Sequence, residues 1–323
     1  MDKYLPLLLM SEIKIILLCS SRFAIPALYE LYFFKQLEVV VIPARCKEMI
    51  EEVEALLAGS HIPILKVNKD DFAAQISQAI TGHNINVGLV MTFSYKLPSS
   101  VYDLPDKGFY NVHPGPLPTY RGADPVFQQI KNRETKAGVT IHKLDEELDT
   151  GAVVLLDMIK LDKKDTYGLL TAKLAQKAAL MLRNILKLIS FDIEMHSKPQ
   201  DTTKATYYKR QGAKEIAINW STMDADGIIA LMNACNPWNK GAVTKLNGKI
   251  IRLLNGEKLE GQIFADATPG KILEINEKGM DIVTADLALI RIDMIYTDEG
   301  FFPANKLLEF GVRSGNCFEV EIN

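Results

Sequence analysis

Between Glu12 and about Lys69, short β-branched runs alternate with amphipathic segments, and this alternation restricts the chain more than any other feature. Ile13 to Leu18 and Val39 to Ile42 have the length and continuous apolar character of buried strands, while Ala24 to Phe34 and Glu48 to Leu57 carry apolar residues at helical spacing. Strand, helix and strand in succession predict βαβ units and hence a parallel sheet. Pro63 to Val67 adds a third strand, Asp71 to Ile80 its helix, Asn86 to Met91 a fourth strand and Phe109 to Val112 a further apolar step. Gly138 to Leu144 and Ala152 to Ile159 alternate as antiparallel strands do, and Tyr167 to Leu188 spaces its leucines as one long helix. The expected fold of this half is α/β, with a doubly wound, mostly parallel sheet.

Residues 196 to 213, HSKPQDTTKATYYKRQGA, are polar and lack apolar periodicity, so they read as a linker, with the boundary near Lys204. This divides the chain into domains 1–204 and 205–323. The second contains one helix, Ala225 to Ala234, and strand-like runs at Val243 to Leu246, Ile250 to Leu254, Lys271 to Ile275, Asp281 to Val283 and Leu287 to Ile292, with turns at Asn247-Gly248 and Lys278-Gly279. So many short strands in so few residues predict a small, closed or partly closed β-barrel of OB-like type.

A chain of 323 residues agrees with two domains. Its net charge of -3 provides no global attraction for nucleic acid or anionic lipid. Cys19, Cys46, Cys235 and Cys317 are scattered without metal-ligand or disulfide spacing, so no metal is expected and a reducing cytoplasm fits best. The opening MDKYLPLLLM has too short an apolar run and no cleavage pattern for a signal peptide, and is read as an extension before the first strand. No stretch approaches the roughly 20 apolar residues that span a bilayer.

The first βα turn, LCSSRFA, contains no glycine, which disfavours the pyrophosphate cradle of a dinucleotide enzyme, and no P-loop occurs. The chemistry concentrates in YNVHPGPLPTYRGADPVFQQIKNRETKAGVTIHKLDEELDTG, from Tyr110 to Gly151. Asn111 and His113 stand two apart at a strand end, so extended backbone turns both side chains to one side. The prolines at 114, 116, 118 and 125 stiffen the loop that follows, and Asp149 lies in a second loop, LDTG. Asn, His and a carboxylate form an acyl-transfer set without a protein nucleophile: the amide donates to an oxyanion, the imidazole accepts the proton of an attacking amine, and the carboxylate supports the imidazolium. An Asn-x-His with a distant acid also arises by chance. His142, on an alternating strand, reads as a packed or surface histidine, and the run Tyr207 to Arg210 as solvated linker.

The segment NVHPGPLPTYRGADP followed by GVTIHKLDEELDTG closely resembles the signature of the N10-formyltetrahydrofolate-dependent formyltransferases. SSRFAIPALYEL resembles that family's first turn and helix, FSYKLP its folate-binding strand and loop, and NPWNKGAVTKLNGKIIRL with TPGKILEINEKGM the C-terminal barrel of some members. The resemblance covers nearly the whole chain. It implies a Rossmann-like formyltransferase domain, N10-formyltetrahydrofolate as formyl-donating cosubstrate, and Asn111, His113 and Asp149 in the catalytic positions. Folate contacts would come from Phe93, Ser94, Tyr95 and Leu97, and from the loop of Asp145 and Leu148. Cys19 replaces a glycine usual in the family, and Gly115-Pro116 follow where serine is common.

The acceptor amine is a separate question. In the family's tRNA enzyme the loop after the second strand is long, glycine-rich and basic. The corresponding PARCKEMIEEVEALL is short and turns acidic at Glu48, Glu51, Glu52 and Glu54, and Ala205 to Asn323 holds 13 Lys and Arg against 16 Asp and Glu. Phosphate binding needs several basic contacts. The expected acceptor is a small-molecule amine, such as an amino sugar nucleotide or amino-acid derivative. Methionyl-tRNA is the alternative, followed by a hydrolase and a non-catalytic folate-binding protein.

Overall fold

The computed structural model describes residues 13–261 and 268–320, and the expected N-terminal extension lies outside them. The described chain forms two compact units. Among the described residues, one draws on 13–122, Ala137–Ile159 and Thr171–Tyr207, the other on Ala123–Lys136, Lys160–Leu170, 208–261 and 268–320.

In the first unit, strands β1 (Ile15–Cys19), β2 (Leu37–Pro43), β3 (Ile64–Val67), β4 (Val87–Met91) and β5 (Phe109–His113) are joined by helices α1 (Ile25–Phe33), α2 (Lys47–Leu56) and α3 (Phe72–Gly82) where the apolar periodicity places them. Beyond β5, helix α4 (Pro125–Lys131) belongs to the second unit, while β6 (Lys136–Lys143), β7 (Val153–Lys160) and most of the long α5 (Tyr167–Ser190) continue the first. The seven-stranded sheet has the order β3-β2-β1-β4-β5-β6-β7, with β5 and β6 antiparallel and the pairings from β3 through to β5 parallel. Every residue of β1 and β4 is buried, as in a sheet covered on both faces. By contrast, β7 alternates half-buried and exposed residues at the sheet's edge. Ile16, Leu18, Val39, Val41, Ile76 and Ile80 pack α3 against β1 and β2. No helix of the described residues is long and apolar enough to cross a membrane.

The second unit holds helix α6 (Ala225–Ala234), capped by Asp224, whose carboxylate accepts from Gly227 N at 2.7 Å. Its six strands, β8 (Ala242–Leu246), β9 (Lys249–Leu259), β10 (Ile272–Asn276), β11 (Gly279–Val283), β12 (Leu289–Thr297) and β13 (Gly300–Pro303), pair antiparallel in the order β8-β9-β12-β11-β10, with β13 on β12. The segment 315–319 bridges the gap between the end strands: Glu319 N donates to Lys245 O at 2.9 Å on β8, and Ile272 N of β10 donates to Asn316 O at 2.9 Å. β13 and the extension of β9 to Leu259 exceed what periodicity predicts. At Gly256 of β9 a Cβ would lie 2.3 Å from Arg291 O, and the register shifts on either side of the preceding residue, Asn255.

Candidate active site

β5 ends at His113, and its antiparallel register with β6 sets Asn111 opposite His142 and His113 opposite Thr140. Because alternate residues share a face, these two cross-strand pairs line one side of the sheet end. Asp149 arrives from the loop between β6 and β7 with a left-handed φ of 60°. Its Oδ1 accepts from Asn111 Nδ2 at 3.2 Å and stands 3.6 Å from His113 Nδ1, while Oδ2 accepts from Gly122 N at 2.9 Å. The three residues singled out from the sequence therefore meet at one carboxylate.

His142, read from the sequence as a packed or surface histidine, is buried and packs into the same cluster. Its Nδ1 lies 2.8 Å from Lys143 O, so Nδ1 carries the hydrogen, and Nε2 accepts from Asn111 Nδ2 at 3.0 Å. Both amide hydrogens of Asn111 are thus engaged, one by His142 and one by Asp149. Sequence spacing conceals this, because His142 reaches Asn111 only through strand register.

The loop carrying the prolines is pinned from two directions. Thr140 Oγ1, fully buried, accepts from Leu117 N at 3.0 Å and donates to Gly115 O at 2.7 Å, and Pro116 lies so near Gly138 that a Cβ there would approach it to 2.8 Å. From the other side, Thr206 Oγ1 accepts from Tyr120 N at 2.9 Å and Thr206 O accepts from Arg121 N at 3.0 Å. These contacts present Tyr120 O to His113 Nε2 at 2.8 Å. A carbonyl can only accept, so Nε2 holds the hydrogen, and the basic lone pair of neutral His113 sits at Nδ1, on the Asp149 side.

The segment read as a linker also carries hydrogen bonds to the site. The Gln200 amide donates to Asp149 O at 2.9 Å and Gly151 O at 2.8 Å, and its Oε1 accepts from Arg121 at 2.6 Å. Tyr207 donates its hydroxyl hydrogen to Leu148 O at 2.7 Å. Its polar composition conceals this role, because side chains that bond to main-chain groups leave no apolar period.

Electrostatics separates the two titrating partners. Burial lowers the pKa of His113 from its usual 6.5, against the opposing pull of Asp149, so the imidazole is neutral near pH 7. Burial alone would raise Asp149, but His113, His142 and the Gly122 N–H together bring it down to about 2. A buried neutral base beside a permanent carboxylate can take a proton and have the resulting charge balanced.

The expected folate contacts fall in two places. The loop after β4 leaves the sheet beside β5, where Val90 pairs with Asn111. There Leu97 is buried, and Phe93, Tyr95 and Leu144 are half-buried against the same core, with the Phe93 and Tyr95 rings 5.5 Å apart edge to face. Ser94 Oγ reaches Ser20 Oγ at 3.1 Å, tying the loops after β1 and β4. In the second loop, Asp145 closes its own turn by accepting from Glu147 N and Thr150 Oγ1, and Leu148 is 48% exposed. Among the described residues no His, Cys, Asp and Glu group is arranged to hold a metal ion.

An amide, a neutral imidazole and a carboxylate at the edge of an α/β sheet, with no nucleophilic side chain among them, define a group-transfer enzyme suited to chemistry at a carbonyl carbon. The sequence matches the Formyl transferase model over residues 44–186 and the Formyl transferase, C-terminal domain model over residues 212–299. Methionyl-tRNA formyltransferase of Ralstonia pickettii (strain 12J) is 31% identical over 248 residues, 76% of this chain and 75% of that one. The chain belongs to the formyltransferase family. In fold it is similar to the N-formyltransferase from Helicobacter canadensis, solved with folinic acid and dTDP-3-aminofucose, with a TM-score of 0.65, 16% identity and coverage of 87% of this chain and 98% of that one. HypX from Aquifex aeolicus, solved with tetrahydrofolic acid, gives a TM-score of 0.65 at 18% identity over 92% of this chain. The chain spans about half of HypX, 47% of its length.

Proposed function

We propose that this enzyme transfers the formyl group of N10-formyltetrahydrofolate to the primary amine of a small molecule, such as an amino sugar nucleotide or an amino-acid derivative. The donor fits the apolar wall of Phe93, Leu97 and Leu144 beside the polar cluster, with a flat pterin against the wall and the formyl carbon toward Asn111. The observation that carries the acceptor assignment is the connection between β2 and α2, only Ala44, Arg45 and Cys46 long. Its single cation, Arg45, lies over the Tyr95 ring at 5.5 Å. A connection this short supplies no basic arm for a phosphate backbone.

In the mechanism, His113 Nδ1 accepts the amine proton as nitrogen attacks the formyl carbon, and Asn111 Nδ2 donates to the oxyanion that forms. The two events are coupled through Asp149. Protonated Nδ1 gives Asp149 Oδ1 a charged donor, which releases the longer of the two Asn111 contacts for the oxyanion. Collapse returns the proton to the leaving folate nitrogen and yields tetrahydrofolate and a formamide.

Methionyl-tRNA is the second reading, supported by the 31% identity to the Ralstonia enzyme and by the C-terminal domain match. Tetrahydrofolate release is measured with no acceptor, with charged methionyl-tRNA, and with a panel of amino sugar nucleotides and amino acids. Release driven by a small amine supports the proposal, whereas release driven by methionyl-tRNA alone replaces it with the second reading. Release without any amine indicates a hydrolase, and no release in any arm indicates a folate-binding protein.

A further inference from the structure

The second unit carries a cleft of about 250 Å³ walled by Trp238 and Tyr296 and floored by Ile250, with Lys240, Arg252 and Asp298 around it. Trp238 and Ile250 are each 45% exposed, an unusual cost in apolar surface for neighbouring side chains. Trp238 is nevertheless held firmly. Its Nε1 donates to Ala234 O at 2.6 Å, and its ring meets Phe127 at 5.9 Å and Tyr167 at 6.2 Å. Tyr296 is supported by Phe301 at 4.7 Å.

The two cations are bound to neutral groups only. Lys240 Nζ donates to Tyr296 Oη at 2.9 Å and sits 4.3 Å from that ring's centre, and Arg252 donates to Asn239 O at 3.2 Å. Among the described residues neither forms a salt bridge. Lys240 is held in place by a left-handed φ of 58°, and a Cβ on the next residue, Gly241, would lie 2.4 Å from Leu253 O. A non-glycine residue in that conformation is strained, and such strain concentrates where a side chain must be aimed.

We propose that this cleft binds a free nucleoside diphosphate, its base against the 45% exposed Trp238 ring and its phosphates on Lys240 and Arg252. Base stacking on aromatic rings tolerates any base, and guanidinium and ammonium groups lacking carboxylate partners suit phosphate oxygens. Asp298 limits the affinity for bare anions and provides an acceptor for ribose hydroxyls. The site is independent of the acceptor assigned above.

The test uses the full-length protein and follows tryptophan fluorescence and calorimetric heat with uridine, thymidine and guanosine diphosphates, the free nucleosides, inorganic pyrophosphate and a short single-stranded RNA. Nucleoside diphosphates should quench Trp238 emission and bind at least about tenfold more tightly than nucleosides or pyrophosphate. The Lys240→Gln/Arg252→Gln variant should weaken that binding by about tenfold or more, as expected for charge-assisted contacts. Trp238→Phe preserves ring packing and should abolish the quench while retaining calorimetric binding. Unchanged affinity in the Lys240/Arg252 variant, equal binding of pyrophosphate and nucleotides, RNA binding more tightly than any diphosphate, or no binding at all would each overturn the proposal.

Discussion

His113 Nδ1 stands 3.6 Å from Asp149 Oδ1, with the two side chains only 5% and 4% exposed. The separation exceeds a hydrogen bond, and the tautomer imposed by Tyr120 O places a lone pair on each facing atom. The pair is therefore poised to be joined by an incoming proton. Replacing the carboxylate in Asp149→Asn preserves size and removes the balancing charge. Turnover should fall by about 100-fold or more, within the range of general acid-base groups. Wild-type turnover in steady-state assays would reject the role given to Asp149.

The pH dependence follows from the same pair. His113 works as a base only when neutral, and burial depresses its pKa below 6.5, so the acid limb of kcat/KM should lie below 6.5. Asp149 raises the His113 pKa, so Asp149→Asn should shift that limb to still lower pH as it slows the reaction. A pH–rate profile of both proteins checks the sign, and a limb moving upward contradicts it.

His142 acts in the opposite direction. It lowers the His113 pKa and holds one hydrogen of Asn111, so His142→Phe should move the acid limb upward. The Asn111 amide loses an anchor, and kcat should fall about tenfold through misplacement rather than lost chemistry. Unaltered kcat and pH limb would mean that His142 only fills space.

Gln200 is predicted to be a stability residue with a catalytic consequence. Gln200→Ala leaves the carbonyls of Asp149 and Gly151 without their donor and Arg121 without its acceptor. At about 1 kcal/mol for each lost hydrogen bond, the unfolding free energy should drop by roughly 2–3 kcal/mol. Urea denaturation measures this, and a loss below about 0.5 kcal/mol would return the segment to its reading as a linker.

Gly151 tests the backbone of the Asp149 loop. A Cβ there would lie 1.8 Å from Lys143 O, so Gly151→Ala must displace the loop or part β6 from its neighbour. Thermal unfolding should show a loss of at least about 2 kcal/mol together with reduced turnover. An alanine variant as stable and active as wild type would show that the loop moves freely.

The stability of the first unit should also depend on acid. A depressed His113 pKa means that the unfolded chain binds the proton first, so stability falls as pH drops through and below 6.5. In His113→Gln that component should disappear from denaturation profiles between neutral and mildly acidic pH. An identical profile would place the titration elsewhere.

Local chemistry determined the parallel strands, the helices between them and the antiparallel second sheet, and it offered Asn111, His113 and Asp149 as a candidate set that only the family resemblance placed in catalytic positions. These follow from periods of two and 3.6 residues and from residue types grouped within one stretch, properties carried by neighbours along the chain. Tertiary structure decided what neighbours cannot encode. Strand register set His142 against Asn111, and a carbonyl presented by a pinned loop chose the His113 tautomer. Gln200 and Thr206, polar and aperiodic in sequence, became supports because buried main-chain groups about 50 to 90 residues away required partners. The second sheet's end strands were joined by residues 315–319, whose composition shows no strand period. Side-chain type and spacing select the elements, but hydrogen-bond satisfaction across long sequence separations selects which of them meet.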